Sequence, residues 1–192
     1  MMKFAVITMG ALVVAFTAGT AGAAKVRKPI TVTINFIDAD GVGKPAGTIT
    51  IKEAAGGLEF DTKLKGLPPG EHGFHLHEKG SCAPAEKEGK PMAGGAAGGH
   101  YDPADTKAHK GPGGGGHKGD LPKLEVDATG AAIAKLNVPG LTLAEVRGKA
   151  LMIHEGGDNY SDAPKPLGGG GARIACGVIS VPAAAAKKAT NP

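Results

Sequence analysis

Residues 80–120 form a long stretch of this sequence that has no apolar periodicity. On both sides of it the sequence consists of short runs in which apolar and polar residues alternate, as at 30–36, and this period of two is typical of a half-buried β-strand. A loop of such length is unusual inside a compact domain unless the loop itself has a function. The sequence therefore predicts short strands joined around a long loop that takes part in binding or catalysis.

Short strands are predicted throughout the rest of the chain. The eight predicted strands are 30–36, 48–52, 58–64, 73–77, 123–126, 131–136, 150–154 and 173–180. Residues 41–47 are predicted to be a loop, and a capping box at 142–145 indicates one helical turn. The 33 glycines and 14 prolines favour strands and shaped loops over packed helices. We expect an all-β fold, an eight-stranded antiparallel Greek-key barrel or sandwich with two long functional loops, 80–120 and 156–172.

The beginning of the chain has the features of a signal peptide. Lys3 precedes an apolar run at 4–16, and Ala21-Gly22-Ala23 matches a cleavage signal. A membrane anchor is the alternative, but the apolar run is shorter than the roughly 20 residues that span a bilayer. We expect a signal peptide at 1–23, an exported domain at 24–181 and, because apolar periodicity is absent there, a disordered tail at 182–192.

The charge of the exported chain is only mildly positive. Removing 1–23 takes away Lys3 and no acidic residue, which leaves 21 cations against 18 anions, a net charge of +3. The cations are scattered and do not interleave with aromatic residues, so the sequence does not indicate a nucleic acid partner. A small positive excess would help to attract a small anion.

The chain has two cysteines, Cys82 and Cys176. An exported protein meets an oxidising compartment, so one disulfide is expected. The alternative is that a thiolate binds a metal.

Histidines on the fourth predicted strand fall on two faces. His72 shares a face with Phe74 and Leu76, whereas His75 and His77 share the opposite one. His72 is therefore expected to point to the core as a hydrogen-bonded structural residue. His75 and His77 are spaced so that both imidazoles can meet one metal ion; the alternative is two solvated histidines on an exposed strand face.

The long loop contains a second group of metal-binding residue types: His100, His109, His117 and Asp120. Three imidazoles and one carboxylate are a sufficient tetrahedral set for zinc. A bound metal would also order a loop that is so rich in glycine. The alternative is a flexible metal-scavenging tract.

Together with His154, at the end of the seventh predicted strand, these residues suffice for two metals. His75, His77 and His154 offer nitrogen to one ion, while the second group binds the other. His100 has two ring nitrogens and could bridge the ions as an imidazolate. An all-imidazole site suits copper, and mixed nitrogen and oxygen ligands suit zinc.

Five motifs in this order resemble the copper/zinc superoxide dismutase family, in particular its bacterial periplasmic branch. The motifs lie at 72–77, 99–103, 117–122, 152–159 and 168–179. They extend across roughly residues 30–180, which is the whole predicted domain.

The resemblance implies one copper and one zinc ion per subunit. Copper would be bound by His75, His77, His100 and His154, and zinc by His100, His109, His117 and Asp120. A Cys82–Cys176 disulfide is implied as well. Asp158 would accept hydrogen bonds from His75 and His109; considered without the family, it would be interpreted as a turn-capping residue.

The resemblance also implies an activity, the conversion of superoxide to oxygen and hydrogen peroxide as an antioxidant defence in the periplasm. Copper would undergo the redox cycle, zinc would be structural, and His100 would carry a proton. Arg173 would guide the anion to the copper. The protein is expected to be a monomer or homodimer that has no stable membrane anchor after signal cleavage.

Three other functions are compatible with parts of the pattern. A copper or zinc storage or delivery module would use the same scaffold, but the full set of seven ligands together with Arg173 argues against it. A zinc hydrolase would need a general base, for which Glu155 is the obvious candidate. A blue-copper carrier would need a cysteine ligand.

Overall fold

The computed structural model describes residues 27–181. The predicted signal peptide at 1–23 and the predicted tail at 182–192 therefore lie outside the described residues. Residues 24–26 of the predicted domain lie outside them as well. The strands are β1 Ile30–Asp38, β2 Gly41–Ala54, β3 Gly57–Leu64, β4 Gly70–His72, β5 Phe74–His77, β6 Ala85–Lys87, β7 Lys90–Met92, β8 Leu124–Val126, β9 Ala132–Pro139, β10 Ala150–His154 and β11 Arg173–Val178. A helical turn α1, Leu143–Val146, and two 3-10 turns, Gly95–Ala97 and Leu167–Gly169, complete the secondary structure.

The strands pair antiparallel in a curled arrangement. Seven of them form one sheet in the order β5-β10-β11-β1-β2-β3-β9, while β4 pairs with β8 and β6 with β7. If β4 and β5 are counted as one interrupted strand and the β6–β7 hairpin as part of the long loop, eight strands remain. The predicted all-β Greek-key architecture is confirmed.

The core follows from the alternation along the strands. In β1 the side chains of Ile30, Val32 and Ile34 are buried, whereas Thr31 and Thr33 face solvent. Phe60 and Phe74 meet edge to face inside the barrel, with ring centroids 6.1 Å apart. Full burial of one such apolar side chain stabilises a fold by about 1.5–3 kcal/mol. The packed core thus fixes the positions of the strands that contain the candidate metal-binding histidines.

The prediction of a loop at 41–47 was wrong, because these residues form the first half of β2. The ladder between β1 and β2 continues through register shifts beside Asn35, which is paired with Pro45. A Cβ on Gly47 would overlap the carbonyl oxygen of Lys63 on β3. Glycine and proline here mark a bulged strand and a close strand approach rather than a loop.

Other predicted strands also differ from the observed ones. The strand predicted at 73–77 begins earlier and divides into β4 and β5, which pair with different strands. The strand predicted to reach residue 180 ends at Val178. The β6–β7 hairpin was missed because its three-residue strands are too short to show a period.

The capping box that begins α1 is confirmed. The side chain of Thr142 accepts a hydrogen bond from the Glu145 backbone, and Glu145 accepts one from the Thr142 backbone at 3.0 Å. Among residues 27–181, no helix is long and apolar enough to cross a membrane.

Candidate metal centre

Two paired strands position three of the seven histidines. On β5, Phe74 and Leu76 enter the core, so His75 and His77 project from the other face. Antiparallel pairing places β10 beside them, and His154 is the last residue of that strand. All three side chains are buried, because the long loop and the 156–172 loop cover this face. The alternative of two solvated histidines at His75 and His77 was wrong.

The long loop is fixed against β5 by backbone hydrogen bonds. The Tyr101 amide donates to the Leu76 carbonyl at 2.8 Å, and the Leu76 amide donates to the Gly119 carbonyl at 2.9 Å. A Cβ on Gly119 would overlap the Leu76 carbonyl oxygen, so glycine allows this close approach. These contacts bring His100 opposite His77 and Asp120 opposite His75.

Four histidines converge on one point in the resulting interior. One nitrogen from each of His75, His77, His100 and His154 lies within 4.8 Å of the other three. The converging side chains also leave Nδ1 of His75 and Nε2 of His77, His100 and His154 buried without a hydrogen-bond partner among residues 27–181. Buried polar atoms in native proteins nearly always have a partner. Four such nitrogens in one cluster therefore fit a metal ion.

The second ring nitrogen of each of these histidines has a partner that orients the ring. His75 Nε2 bonds Asp158 Oδ2 at 2.9 Å, and His77 Nδ1 bonds the Gly98 carbonyl at 3.0 Å. His154 Nδ1 lies 3.3 Å from the Gly171 carbonyl. Such contacts hold the tautomer in which the other nitrogen is free to bind a metal.

A second cluster surrounds one oxygen of Asp120. Its Oδ1 lies 3.0 Å from Nδ1 of His100, 3.0 Å from Nδ1 of His109 and 3.3 Å from Nδ1 of His117. Ligands at about 2.0 Å from a tetrahedral zinc ion are separated by about 3.3 Å. The three distances are close to that separation, so the donor set fits zinc.

His75 is also near the second cluster, since its ligand atoms lie within 4.8 Å of those of His100, His109 and Asp120. However, its Nε2 is bonded to Asp158, and its Nδ1 belongs to the four-histidine cluster. His117 therefore completes the second cluster better than His75. His100 has one nitrogen in each cluster.

Asp158 connects the two clusters. Its Oδ2 accepts from His75 Nε2, and its Oδ1 is 2.7 Å from His109 Nε2. The same Oδ1 accepts from the Tyr160 amide at 2.8 Å, so Asp158 also caps a turn, as its sequence context alone suggested.

The electrostatics of the clusters favour neutral imidazoles beside ionised carboxylates. Burial lowers the pKa of His100 to about 4 and that of His154 to about 3, and the pKa of His77 lies well below its usual value. Burial would raise the pKa of Asp120, but hydrogen bonds from His100 and His109 lower it overall. Neutral imidazole and carboxylate are the protonation states that bind metals.

His109 differs from the other histidines. Burial by itself would lower its pKa, but contacts with Asp120 and Asp158 raise the pKa to about 9. Two carboxylates on opposite sides of one ring favour its protonated form in the metal-free protein.

Arg173 lies at the edge of the four-histidine cluster. Its guanidinium donates to the carbonyls of Gly94 and Gly98, both at 2.7 Å. The Gly98 carbonyl also holds His77, so one backbone oxygen orients both side chains. Arg173 borders a surface depression that Lys87 and Lys90 of the β6–β7 hairpin also line.

The remaining predicted residues take structural positions. His72 bonds the His154 carbonyl at 2.7 Å and the Pro68 carbonyl at 2.8 Å, the contacts expected of a hydrogen-bonded structural histidine. Cys82 and Cys176 form the expected disulfide, so neither offers a thiolate to a metal. The disulfide joins the long loop to β11.

Sequence reasoning missed a second carboxylate that organises the loops. Asp162 accepts from the His109 amide at 2.8 Å through Oδ2 and from the Leu167 amide at 3.1 Å through Oδ1. It therefore links the long loop to the 156–172 loop. No motif around Asp162 indicates this role, because its partner His109 is 53 residues away.

Comparisons with known proteins agree with this geometry. The family model described as copper/zinc superoxide dismutase matches residues 45–179. The chain is 59% identical over 149 residues to superoxide dismutase [Cu-Zn] 2 of Salmonella typhimurium, which covers 77% of this chain and 86% of that protein.

Solved structures give the same result. A Cu/Zn superoxide dismutase from Brucella abortus has a TM-score of 0.78 and 53% identity, with 80% of this chain and 100% of that one covered. The solution structure of the monomeric copper, zinc superoxide dismutase from Salmonella enterica has a TM-score of 0.72 and 56% identity, with the same coverage. The chain is therefore an enzyme that belongs to the copper/zinc superoxide dismutase family.

Proposed function

We propose that the four-histidine cluster of His75, His77, His100 and His154 is the copper site. The supporting observation is the set of four buried nitrogens without a hydrogen-bond partner among the described residues. Each of these rings is oriented by a contact at its other nitrogen. An all-imidazole donor set suits copper.

Zinc, in this proposal, is held by His100, His109, His117 and Asp120. The distances around Asp120 Oδ1 and the mixed nitrogen and oxygen donors support this assignment. Zinc has no redox cycle, so its role is to order the glycine-rich loop and to keep His100 in place. Asp158 couples the two sites through His75 and His109.

The reaction consumes two superoxide ions and two protons and yields one molecule of oxygen and one of hydrogen peroxide. Copper, when bound, supplies the one-electron redox chemistry. The chain must bind the anion, orient it and deliver protons. His100 is suited to proton delivery because Nε2 faces the four-histidine cluster while Nδ1 is held beside Asp120.

Arg173 is proposed to attract and orient superoxide. Its guanidinium is held by two carbonyls at the edge of the four-histidine cluster, so the positive charge keeps a fixed position. Lys87 and Lys90 line the same depression and would add to the attraction. A fixed positive field raises the rate at which a small anion reaches such a site.

The proposed setting is the bacterial periplasm. The signal sequence at 1–23, the mature domain at 24–181 and the disulfide support export to an oxidising compartment. The role there would be antioxidant defence. A monomer or homodimer is proposed, and the neighbour from Salmonella enterica that is described as monomeric favours the monomer.

The metal assignments can be tested by two variants that serve as controls for each other. After purification of the protein from cells supplied with both metals, bound copper and zinc are measured by elemental mass spectrometry. His77→Ala should lose copper and keep zinc, whereas His117→Ala should lose zinc and keep more of its copper. If His77→Ala kept full copper, or if His117→Ala kept full zinc, the assignment of that ligand set would be wrong.

A further inference from the structure

The second cluster is bordered by a surface depression that the proposed function does not use. One wall belongs to the loop that contains Pro112, Gly113 and His117, and the other consists of residues 138–140 at the end of β9. Asp120 also lines the depression. Solvent can therefore approach the proposed zinc ligand His117 from this side.

The exposure of the ligands differs in the same direction. The side chain of His117 is 10% exposed, whereas those of His109 and Asp120 are completely buried and that of His100 is 2% exposed. His117 is thus the proposed zinc ligand that most faces solvent. A metal ion that moved through the depression would meet His117 first.

The opposite side of this cluster is closely packed. A Cβ on Gly168 would overlap Asp158 Oδ1 and come within 2.9 Å of His109 Nε2. Asp162 further binds the 156–172 loop to the His109 amide. A second surface depression, lined by Asp158, Lys165 and Gly168, lies on this side, but His109 is not among its lining residues.

We infer that zinc enters and leaves the protein through this depression, which we call the zinc portal and define by Pro112, Gly113, His117 and Pro139. The inference rests on the proposed assignment of zinc to the second cluster. Copper would be exchanged separately, on the side of Arg173. The portal makes the rate of zinc exchange depend on the residues that face each other across the depression, Gly113 and Pro139.

The walls of the portal approach each other at Gly113 and Pro139. A Cβ on Gly113 would lie 3.5 Å from Cγ of Pro139, an ordinary van der Waals contact. Gly113 has a φ of +70°, and Gly115 has a similar φ of +77°. A Cβ on Gly115 would have no atom within 4 Å among the described residues. Both glycines line the depression, but a Cβ at Gly113 would contact Pro139 on the opposite wall, whereas a Cβ at Gly115 would point into open space. Gly115 is therefore a control with a similar backbone conformation inside the same depression.

Local opening of the whole loop is the competing route. Lys118 forms an ion pair with Glu145, which holds the loop to α1. If zinc left only when this loop detached, breaking the ion pair would speed its release and the portal side chains would have no effect. The two routes therefore predict different variants as the sensitive ones.

The experiment measures the transfer of metal from the copper- and zinc-loaded protein to the chelator 4-(2-pyridylazo)resorcinol. Because this chelator also binds copper, the zinc that stays on the separated protein is followed over time by elemental mass spectrometry. Asparagine tolerates positive φ better than most residues, so Gly113→Asn should narrow the portal and slow zinc transfer several-fold. Pro139→Ala should widen it and speed transfer. Gly115→Asn should leave the rate close to that of the unchanged protein, and copper transfer to a copper chelator should be equal in all three variants.

Three outcomes would overturn the portal. Equal zinc rates in Gly113→Asn, Pro139→Ala and the unchanged protein would do so, as would equal slowing by Gly113→Asn and Gly115→Asn. So would a Lys118→Met variant that speeds release while the portal variants have no effect. Failure of the zinc assignment itself would be seen separately, as full zinc content in His117→Ala.

Discussion

The two halves of the metal centre are held in different ways. Two paired strands of the barrel carry His75, His77 and His154. A loop carries His109, His117 and Asp120, and it contacts those strands mainly through single bridges. The strand residues take their positions from the hydrophobic core, because Phe74, Leu76 and Ile153 on the same strands are fully buried. The loop residues take theirs from isolated hydrogen bonds and close glycine contacts.

This difference suggests different dependence on metal. The strand half keeps its geometry as long as the barrel is folded. The loop half has few apolar contacts, and segments of this kind open locally at a small cost in free energy. His100 and Asp158 join the two halves, so order in the loop is transmitted to the strand histidines.

Removal of both metals should affect the two halves differently, and amide hydrogen exchange measures the difference. The His117 amide donates to the Ala108 carbonyl, and the Lys110 amide donates to Asp120. Both amides should lose nearly all protection from exchange. Amides in the ladder between β10 and β11 should stay protected at the level of global unfolding. Equal loss of protection in both regions would mean that the barrel does not hold the strand half independently.

The disulfide attaches the first part of the long loop to β11 of the barrel. Replacing Cys82 and Cys176 together with alanine should lower the free energy of unfolding by about 4–5 kcal/mol, the chain-entropy expectation for a loop closed over 94 residues. Arg173 should also become more mobile, since its partners Gly94 and Gly98 lie in the released segment. Denaturant unfolding measures the first effect, and an unchanged midpoint would contradict it.

Asp158→Asn tests the link between the halves. Asparagine has one acceptor oxygen, whereas Asp158 accepts from both His75 and His109. Loss of such a contact to a metal ligand typically weakens metal binding about 10–100-fold, and we expect this range for zinc. Competition with a chelator measures the affinity.

Asp102→Asn is the matched control for this variant, because Asp102 lies in the long loop that contains the proposed zinc ligands but bonds Thr106 and Lys107 instead of a histidine. Its zinc affinity should stay close to that of the unchanged protein. Equal losses in both variants would show that removing a carboxylate from either loop has this effect, and Asp158 would have no special role in coupling.

Arg173→Ala should give the smallest effect, on rate alone. At low ionic strength the rate should fall roughly tenfold, the lower end of what steering contributes, and its dependence on salt should become weaker. Pulse radiolysis over a range of salt concentrations measures both quantities. Arg147→Ala removes the same charge from a side chain that bonds the Ser180 carbonyl, and it should change the rate much less. Full speed in Arg173→Ala at low ionic strength would make the steering role untenable.

The strands could be predicted from the sequence more easily than the loops. Period two located β1 and β3, because a strand with one face in the core must alternate. It failed at 41–47, where glycine and proline fit a bulged strand that a local pattern does not distinguish from a loop.

Contacts over long sequence separations were harder to predict. The proposed roles of His75, His77 and His100 were predicted from residue type and spacing, and those of Asp158 and Arg173 were expected only from the resemblance to a family. Asp162 escaped both approaches, since its hydrogen bonds depend on how two irregular loops fold against each other.

The rate of superoxide decay tests whether copper in the four-histidine cluster gives the protein its activity. Purified mature protein loaded with copper and zinc would be compared with the same protein loaded with zinc alone, and its metal content would be verified in each sample. Fast decay that requires copper and approaches the diffusion limit is the predicted result. Absence of catalysed decay with copper demonstrably bound at the four-histidine cluster would contradict the account and favour a metal-handling role.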